Sequence, residues 1–305
     1  GDLKIVTGAS WEKDIGQVVE VLCHDEGTPT VVFDEVVGSP PSAKGFRLLV
    51  NWFTGTRKNL TLGFPENFNK LELSQAYHRH TQNLAPIPHQ IVDDGPVLEN
   101  ILEGDAIDVT KFPSPLWNPE DGGRYIGTGC FNITRDPDSG WINCGTYRVM
   151  VHDEKRVGLY ISPGKHGRIH RDKYMVKGEP MPVCIVIGSD PLSFLTSSTE
   201  APEGMCELDM MGAYRGEAVR CVRGKHTGLP FPANSEIVIE GFIHPGNTKE
   251  EGPFGEWLGY QGGVMEAEPW VDISAIYHRD NPIMLGAAHI RMPYEYARYR
   301  AISRS

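Results

Sequence analysis

Tyr125-Ile-Gly-Thr-Gly-Cys-Phe-Asn-Ile-Thr-Arg-Asp-Pro-Asp-Ser-Gly-Trp-Ile-Asn-Cys-Gly-Thr-Tyr-Arg-Val-Met-Val-His152 reads as strand, tight turn, strand. Apolar and β-branched residues dominate both arms. Asp136-Pro-Asp-Ser-Gly140 between them has hairpin chemistry. The same signature of short, turn-bounded, β-branched runs recurs at 157–161, 183–188, 216–222 and 236–242, with one helical stretch at 192–199. Many short strands with few helices predict a barrel-like β domain. Upstream the pattern differs. Ile15, Val18, Val19 and Leu22 recur at helical spacing within 11–24, strands are predicted at 30–33 and 46–50, and a second helix at 65–76 is anchored by Phe68, Leu71 and Leu73. That is an α/β unit with a mixed sheet. Between them, residues 84–121 are rich in proline and read as a linker or extended crossover, with the domain boundary near residue 112. The sequence shows no internal repeat and no low-complexity tract.

With 305 residues, 40% of them apolar and 23% charged, the chain has the composition of a globular protein with room for a sizeable core. A net charge of −11 excludes general nucleic-acid binding, which needs a basic footprint. No apolar run reaches membrane-span length, and the N-terminus lacks a basic-then-apolar leader, so no membrane partner is expected. The six cysteines are scattered without a Cys-x-x-Cys pair, which fits reduced thiols and predicts a cytoplasmic protein. The abrupt opening at Gly1 and the helix-like close at 294–305 predict a fragment of a longer chain.

Two segments carry candidate chemistry. Glu250-Glu-Gly-Pro-Phe-Gly-Glu256 sets carboxylates around a turn that proline and glycine keep from continuing as helix. Such a turn can aim Glu251 and Glu256 into one cleft, with Phe254 and Trp257 excluding water, so that one carboxyl becomes a proton donor while its neighbour stays ionised. Lys165, His166, Arg168, His170, Arg171 and Lys173 crowd together after Ser162-Pro-Gly164, as either an anion site or a solvated charged loop. Gly127-Thr-Gly129 lacks the third glycine and helix of a dinucleotide loop, and His78 and His80 read as surface residues.

Taken in order, Tyr125-Ile-Gly-Thr-Gly129, Ile133-Thr-Arg-Asp-Pro-Asp-Ser-Gly-Trp141, Asn143-Cys-Gly-Thr-Tyr-Arg148, Pro163-Gly-Lys-His166, Gly178-Glu-Pro-Met-Pro182, Pro232-Ala-Asn-Ser-Glu-Ile237 and Glu251-Gly-Pro-Phe-Gly-Glu256 resemble the UbiD-type decarboxylases. The likeness covers most of the chain and is densest over 125–260. It implies an α+β protein: an N-terminal mixed α/β domain (1–112) followed by a split β-barrel flavin-binding domain (113–293), with 294–305 starting a truncated helix toward a C-terminal domain. It further implies prenylated FMN, a Mn²⁺ or Mg²⁺ ion bridging its phosphate, and a K⁺ nearby. The cofactor would come from a flavin prenyltransferase, and the full-length form would be a homo-oligomer.

Carried over by position, the resemblance makes Asn143, His166 and Glu207 ligands of the divalent ion. It places Trp141, through its backbone carbonyl, with Ser197 and Ser198 around the K⁺ and phosphate, and puts Gly145, Thr146 and Lys165 at the cofactor. Arg148, Glu251 and Glu256 match the catalytic network, with Glu256 as proton donor. The implied reaction is the non-oxidative, reversible decarboxylation of an aromatic or α,β-unsaturated acid. Two other readings stay open. One is a non-catalytic flavin-binding or assembly subunit of a larger carboxylase. The other is a metal-dependent phosphoester hydrolase, which lacks a second cluster of metal-bridging residues.

Overall fold

The structure, a computed structural model, describes residues 2–24, 27–199, 201–255, 261–262 and 266–289. The N-terminal part contains β1 (Leu3–Thr7), α1 (Ile15–Cys23), β2 (Thr30–Asp34), β3 (Arg47–Val50), α2 (Thr56–Thr61) and α3 (Lys70–Thr81). The proline-rich stretch carries β4 (Gln90–Ile91) and β5 (Asn100–Glu103). Then come β6 (Tyr125–Gly127), β7 (Cys130–Arg135), β8 (Ile142–Gly145), β9 (Arg148–Asp153), β10 (Arg156–Tyr160), α4 (His166–Lys177) and β11 (Met181–Ile187). Helices α5 (Pro191–Ser198) and α6 (Glu207–Arg215) precede β12 (Arg220–Arg223), β13 (Pro230–Pro232), β14 (Ile237–Ile243), β15 (Thr248–Glu251), β16 (Phe254–Gly255), β17 (Gln261–Gly262), β18 (Glu266–His278) and β19 (Ile283–Leu285).

The second sheet runs β6-β9-β10-β18-β14-β11-β7-β8, with β15 and β5 also joined to β18. Its pairings are antiparallel, and register shifts at Glu240/Gly241 and Arg156/Val157 add the local twist that lets it curl into a half-barrel. In β11 every residue is buried because both faces are covered. Val183, Ile185 and Ile187 enter the core inside the curl, while Cys184 and Val186 pack outward with Leu208 and Met211 of α6. The hairpin at 136–140 forms as its chemistry predicts: Asp136 Oδ1 accepts from the backbone N–H groups of Asp138 and Ser139.

The small sheet, β1-β2-β3-β19, joins residues from both ends of the chain. Its β1–β2 and β3–β19 pairs are parallel and its β2–β3 pair antiparallel, so it is mixed as expected. Strand pairing crosses residue 112 in both directions: β4 joins β12 and β5 joins β18, while β19 returns to β3. The segment 84–121 is therefore woven into the sheets instead of hanging between them.

Three local readings change. The second helix starts at Lys70, where Asn69 and Glu72 form a capping box. Phe68 then lies ahead of the helix, and its buried face is Leu73, Ala76 and Tyr77, leaving Leu71 67% exposed. Residues 216–219 are not strand, because Gly216 is the left-handed C-cap of α6. The basic stretch from His166 is helix α4, not a loop. The expected helix start at 294–305 lies outside the described residues.

Candidate active site

Asn143, Gly145, Thr146, Lys165, His166, Ser197, Ser198 and Glu207 line one cavity of about 250 Å³, together with Cys144, Tyr147, Gly164, Thr199 and Ala201. Four elements supply most of them. Strand β8 brings Asn143 and Gly145, the start of α4 brings Lys165 as N-cap and His166 as first helical residue, and the C-terminal end of α5 and the first turn of α6 close the far side. Tyr147 sits where these elements meet: its hydroxyl accepts from Gly167 N–H at 3.1 Å and from Asn143 Nδ2 at 3.3 Å. A Cβ at Gly145 would lie 2.2 Å from that hydroxyl, and one at Gly167 would lie 2.6 Å from the ring. Only glycine fits at either position without moving Tyr147.

Glu207 is 2% exposed, and its Oε2 accepts the Cys144 backbone N–H at 2.7 Å. Burial pushes its carboxyl up to about 7, against that hydrogen bond. Among the described residues no Lys or Arg forms an ion pair with it. Asn143 spends its amide nitrogen on Tyr147, which leaves the carbonyl oxygen for a cation. The set is one amide oxygen, one imidazole and one buried carboxylate. That set suits Mn²⁺, and Mg²⁺ if further oxygens complete an octahedron. The helix N-terminus at Lys165–His166 adds positive potential beside it, which suits a phosphate.

The serine hydroxyls donate back along their own helix, Ser197 to Ser193 O at 2.9 Å and Ser198 to Leu195 O at 2.7 Å. Their oxygens therefore present lone pairs. Trp141 is not a lining residue; its ring meets His166 edge-on at 4.8 Å, and its Nε1–H donates to Met205 O. The Trp141 carbonyl accepts from Asp136 N–H within the hairpin.

The rest of the basic stretch points elsewhere. Lys173 pairs with Asp136 and Asp138, Arg171 with Glu268 and Asp172, and Arg168 with Asp172. His170 is fully buried beside Thr134. Only Lys165 and His166 reach the cavity, so the stretch is not a shared anion site.

A second cluster joins the first residue of β9 to the last of β15. Arg148 grips Glu251 with both arms, Nε to Oε1 at 2.9 Å and Nη2 to Oε2 at 2.6 Å, and the Tyr125 hydroxyl donates to Oε1 at 2.9 Å. Glu251 is 1% exposed. The guanidinium lies 4.3 Å from the Tyr160 ring centre and 5.7 Å from that of Phe254, whose ring packs 4.0 Å from Tyr125. Burial opposes the Arg148 charge, but hydrogen bonds and attraction from Glu251 outweigh it and hold the group above its usual range. Burial, then the neighbouring Glu251 charge, pushes the Tyr125 phenol well above its ordinary range. Glu256 and Trp257 lie outside the described residues. Tyr125 and Tyr147 escape sequence reasoning because a tyrosine among apolar neighbours reads as core. Only the place of Tyr147 within Asn143–Arg148 marks it.

A curled antiparallel half-barrel with a polar cavity at a helix N-terminus is a split β-barrel of the flavin-binding type. The chain belongs to the UbiD family: residues 90–292 match the model described as the UbiD 3-octaprenyl-4-hydroxybenzoate carboxy-lyase Rift-related domain. It is 34% identical over 249 residues to the pyrrole-2-carboxylic acid decarboxylase of Pseudomonas aeruginosa, covering 82% of this chain and 49% of that one. With the phenolic acid decarboxylase of Bacillus subtilis it shares 30% identity over 279 residues, 89% of this chain and 57% of the other. Among solved structures, an evolved dimeric form of the UbiD-class enzyme HmfF from Pelotomaculum thermopropionicum, in complex with prFMN, superposes with a TM-score of 0.83. That match has 28% identity and covers 99% of this chain and 67% of that one. The chain thus spans about half the length of the curated relatives it matches. No helix among the described residues is long and apolar enough to cross a membrane.

Proposed function

We propose that this chain carries the cofactor-binding and acid-handling part of a prenylated-FMN-dependent carboxy-lyase acting on an aromatic or α,β-unsaturated acid. The observation that carries the reading is the convergence of Asn143, Lys165, His166 and Glu207 on one cavity at the start of α4. Asn143, His166 and Glu207 would hold Mn²⁺ or Mg²⁺, and the N-terminus of α4 with Lys165 would take the cofactor's phosphate. Ser197, Ser198 and the Trp141 carbonyl offer oxygen lone pairs suited to K⁺. Prenylated FMN, when bound, supplies the electron sink for the pair left as carbon dioxide departs.

Within this reading Arg148 orients Glu251 and is the cation nearest an incoming carboxylate. Glu251 receives every proton in its network and gives none, so the proton for the vacated carbon has to come from another group. We assign that step to Glu256 on the sequence reading alone, and by microscopic reversibility the same pair would serve carboxylation at high bicarbonate. A flavin prenyltransferase would be the supplier of the cofactor, and the relatives' names make an aromatic acid the first substrate class to test.

The test is protein co-expressed with a flavin prenyltransferase and purified without oxygen or light. The absorption spectrum, released-cofactor mass and bound metal should show prenylated flavin with Mn²⁺ or Mg²⁺. His166→Ala should lose the metal and most of the flavin, whereas Glu256→Gln should keep both and lose turnover of aromatic acids. Wild-type protein that retains neither flavin nor metal would sink the reading. Retained cofactor without turnover of any acid would favour a non-catalytic flavin-binding subunit.

A further inference from the structure

Away from the cavity lining, His89, Cys206 and Asp209 place one potential metal-ligating atom each within 4.8 Å of one another. Cys206 is the N-cap of α6 and Asp209 lies three residues on, so both side chains sit on one face of the first turn. His89 arrives from the segment before β4. Its backbone N–H donates to Asp209 Oδ1 at 2.9 Å, and its Nδ1 lies 2.7 Å from the same oxygen. Ile87 N–H donates to the Asp209 carbonyl, and Trp141 Nε1–H to that of Met205, so both sides of the cluster are tied down by groups outside it.

A hydrogen bond between His89 and Asp209 accounts for two of the three residues but not for the thiol. An N-cap is served best by Ser, Thr, Asp or Asn, and the Cys206 thiol is a weak substitute for their oxygen in that role. The His89 and Asp209 side chains keep 21% and 23% of their exposure, and Cys206 is half-buried against the cluster that contains Cys144 and Cys221. The site is thus partly desolvated, pre-positioned, and open to water on one side.

We propose that His89, Cys206 and Asp209 bind a thiophilic divalent cation of the Zn²⁺ class, with water in the fourth position. Thiolate, imidazole and carboxylate select Zn²⁺ or Co²⁺ over Mg²⁺, whereas the set at the cavity has two oxygen ligands and no sulfur and discriminates less. Tetrahedral Zn²⁺ holds ligand atoms about 3.5 Å apart, within reach of small side-chain adjustments here. On binding, the thiol proton leaves to solvent; a neutral imidazole that carries its proton on Nδ1 shifts it to the outward ring nitrogen through solvent, and an imidazolium loses it to solvent, as the cation takes its place. Cys206 and Asp209 bracket Glu207, so the cation fixes the helical turn that presents Glu207 to the cavity.

Co²⁺ is the probe, titrated into metal-free chain with excess Mg²⁺ present. One equivalent should produce sulfur-to-cobalt charge-transfer absorption in the near ultraviolet and tetrahedral visible bands. These should persist in His166→Ala and vanish in Cys206→Ser. His89→Ala should weaken Co²⁺ binding by about tenfold or more, since even outer partners of metal ligands contribute that much. Absence of the bands in wild type, their survival in Cys206→Ser, or their loss in His166→Ala would each overturn the assignment. If Cys206→Ser does not fold, Asp209→Asn must keep the charge-transfer band while binding Co²⁺ about tenfold more weakly; unchanged affinity overturns the proposal equally.

Discussion

Glu251 has two oxygens, three donors and almost no contact with solvent. A buried ion pair of this kind is weak evidence for stability, because desolvating both charges offsets most of their attraction. Removing one partner is another matter. Arg148→Met should cost about 3 kcal/mol or more in urea unfolding, since it strands the carboxylate with only the Tyr125 hydroxyl. The double change Arg148→Met with Glu251→Gln should recover a good part of that loss. Strict additivity of the two single costs would show that the pair is not coupled in the folded state.

At the scale of elements, α4 decides the site, and its sequence conceals it. Six basic residues after a glycine turn read as a solvated loop because the partners of Lys173 and Arg171 include remote ones: Asp136 and Asp138 lie in the β7–β8 hairpin, and Glu268 is almost a hundred residues on. Charge that is neutralised by tertiary contact cannot be told from charge that faces water by local pattern. The long strand β18 is hidden for a related reason, since Glu268, Pro269 and Asp272 interrupt its apolar run. Helix α6 carries Gly212 at mid-length and little amphipathic signal. By contrast β11, the 136–140 turn and the apolar face of α1 are local in origin and were legible. The site is legible as a set of motifs in order, while the two tyrosines that hold it together need the structure. Gly167 tests this directly. Gly167→Ala drives a Cβ into the Tyr147 ring and should cost about 1–3 kcal/mol. With Tyr147 displaced, FMN and Mn²⁺ retention should fall together; retention at the wild-type level would mean that Tyr147 does not shape the cavity.

Across the whole molecule, folding commits several imidazoles to a dry, neutral state. Burial pushes His152, His170 and His289 each down to about 4, with Lys249 adding to the effect at His152 and Arg148 at His289. An unfolded chain protonates histidine near pH 6.5. Between about pH 6.5 and 4 the unfolded state therefore binds protons that the folded state refuses, and stability rises with pH across that window. The contribution is present in full above pH 6.5 and is lost as pH falls through about 4. Asp136, held down to about 2 by Lys173 and two backbone N–H groups against its own burial, adds a separate loss at lower pH. His170 offers the sharpest test, being fully buried between Thr134, Asp136 and the Trp141 edge. Its share is on the order of 2–3 kcal/mol between pH 7 and 4. His170→Asn keeps a partner for the Thr134 hydroxyl and cannot titrate in this range. Urea midpoints measured from pH 7 to 4 should fall less steeply in this variant than in wild type. Equal slopes would place the acid sensitivity elsewhere, in the carboxylates that hold α4 to the sheet.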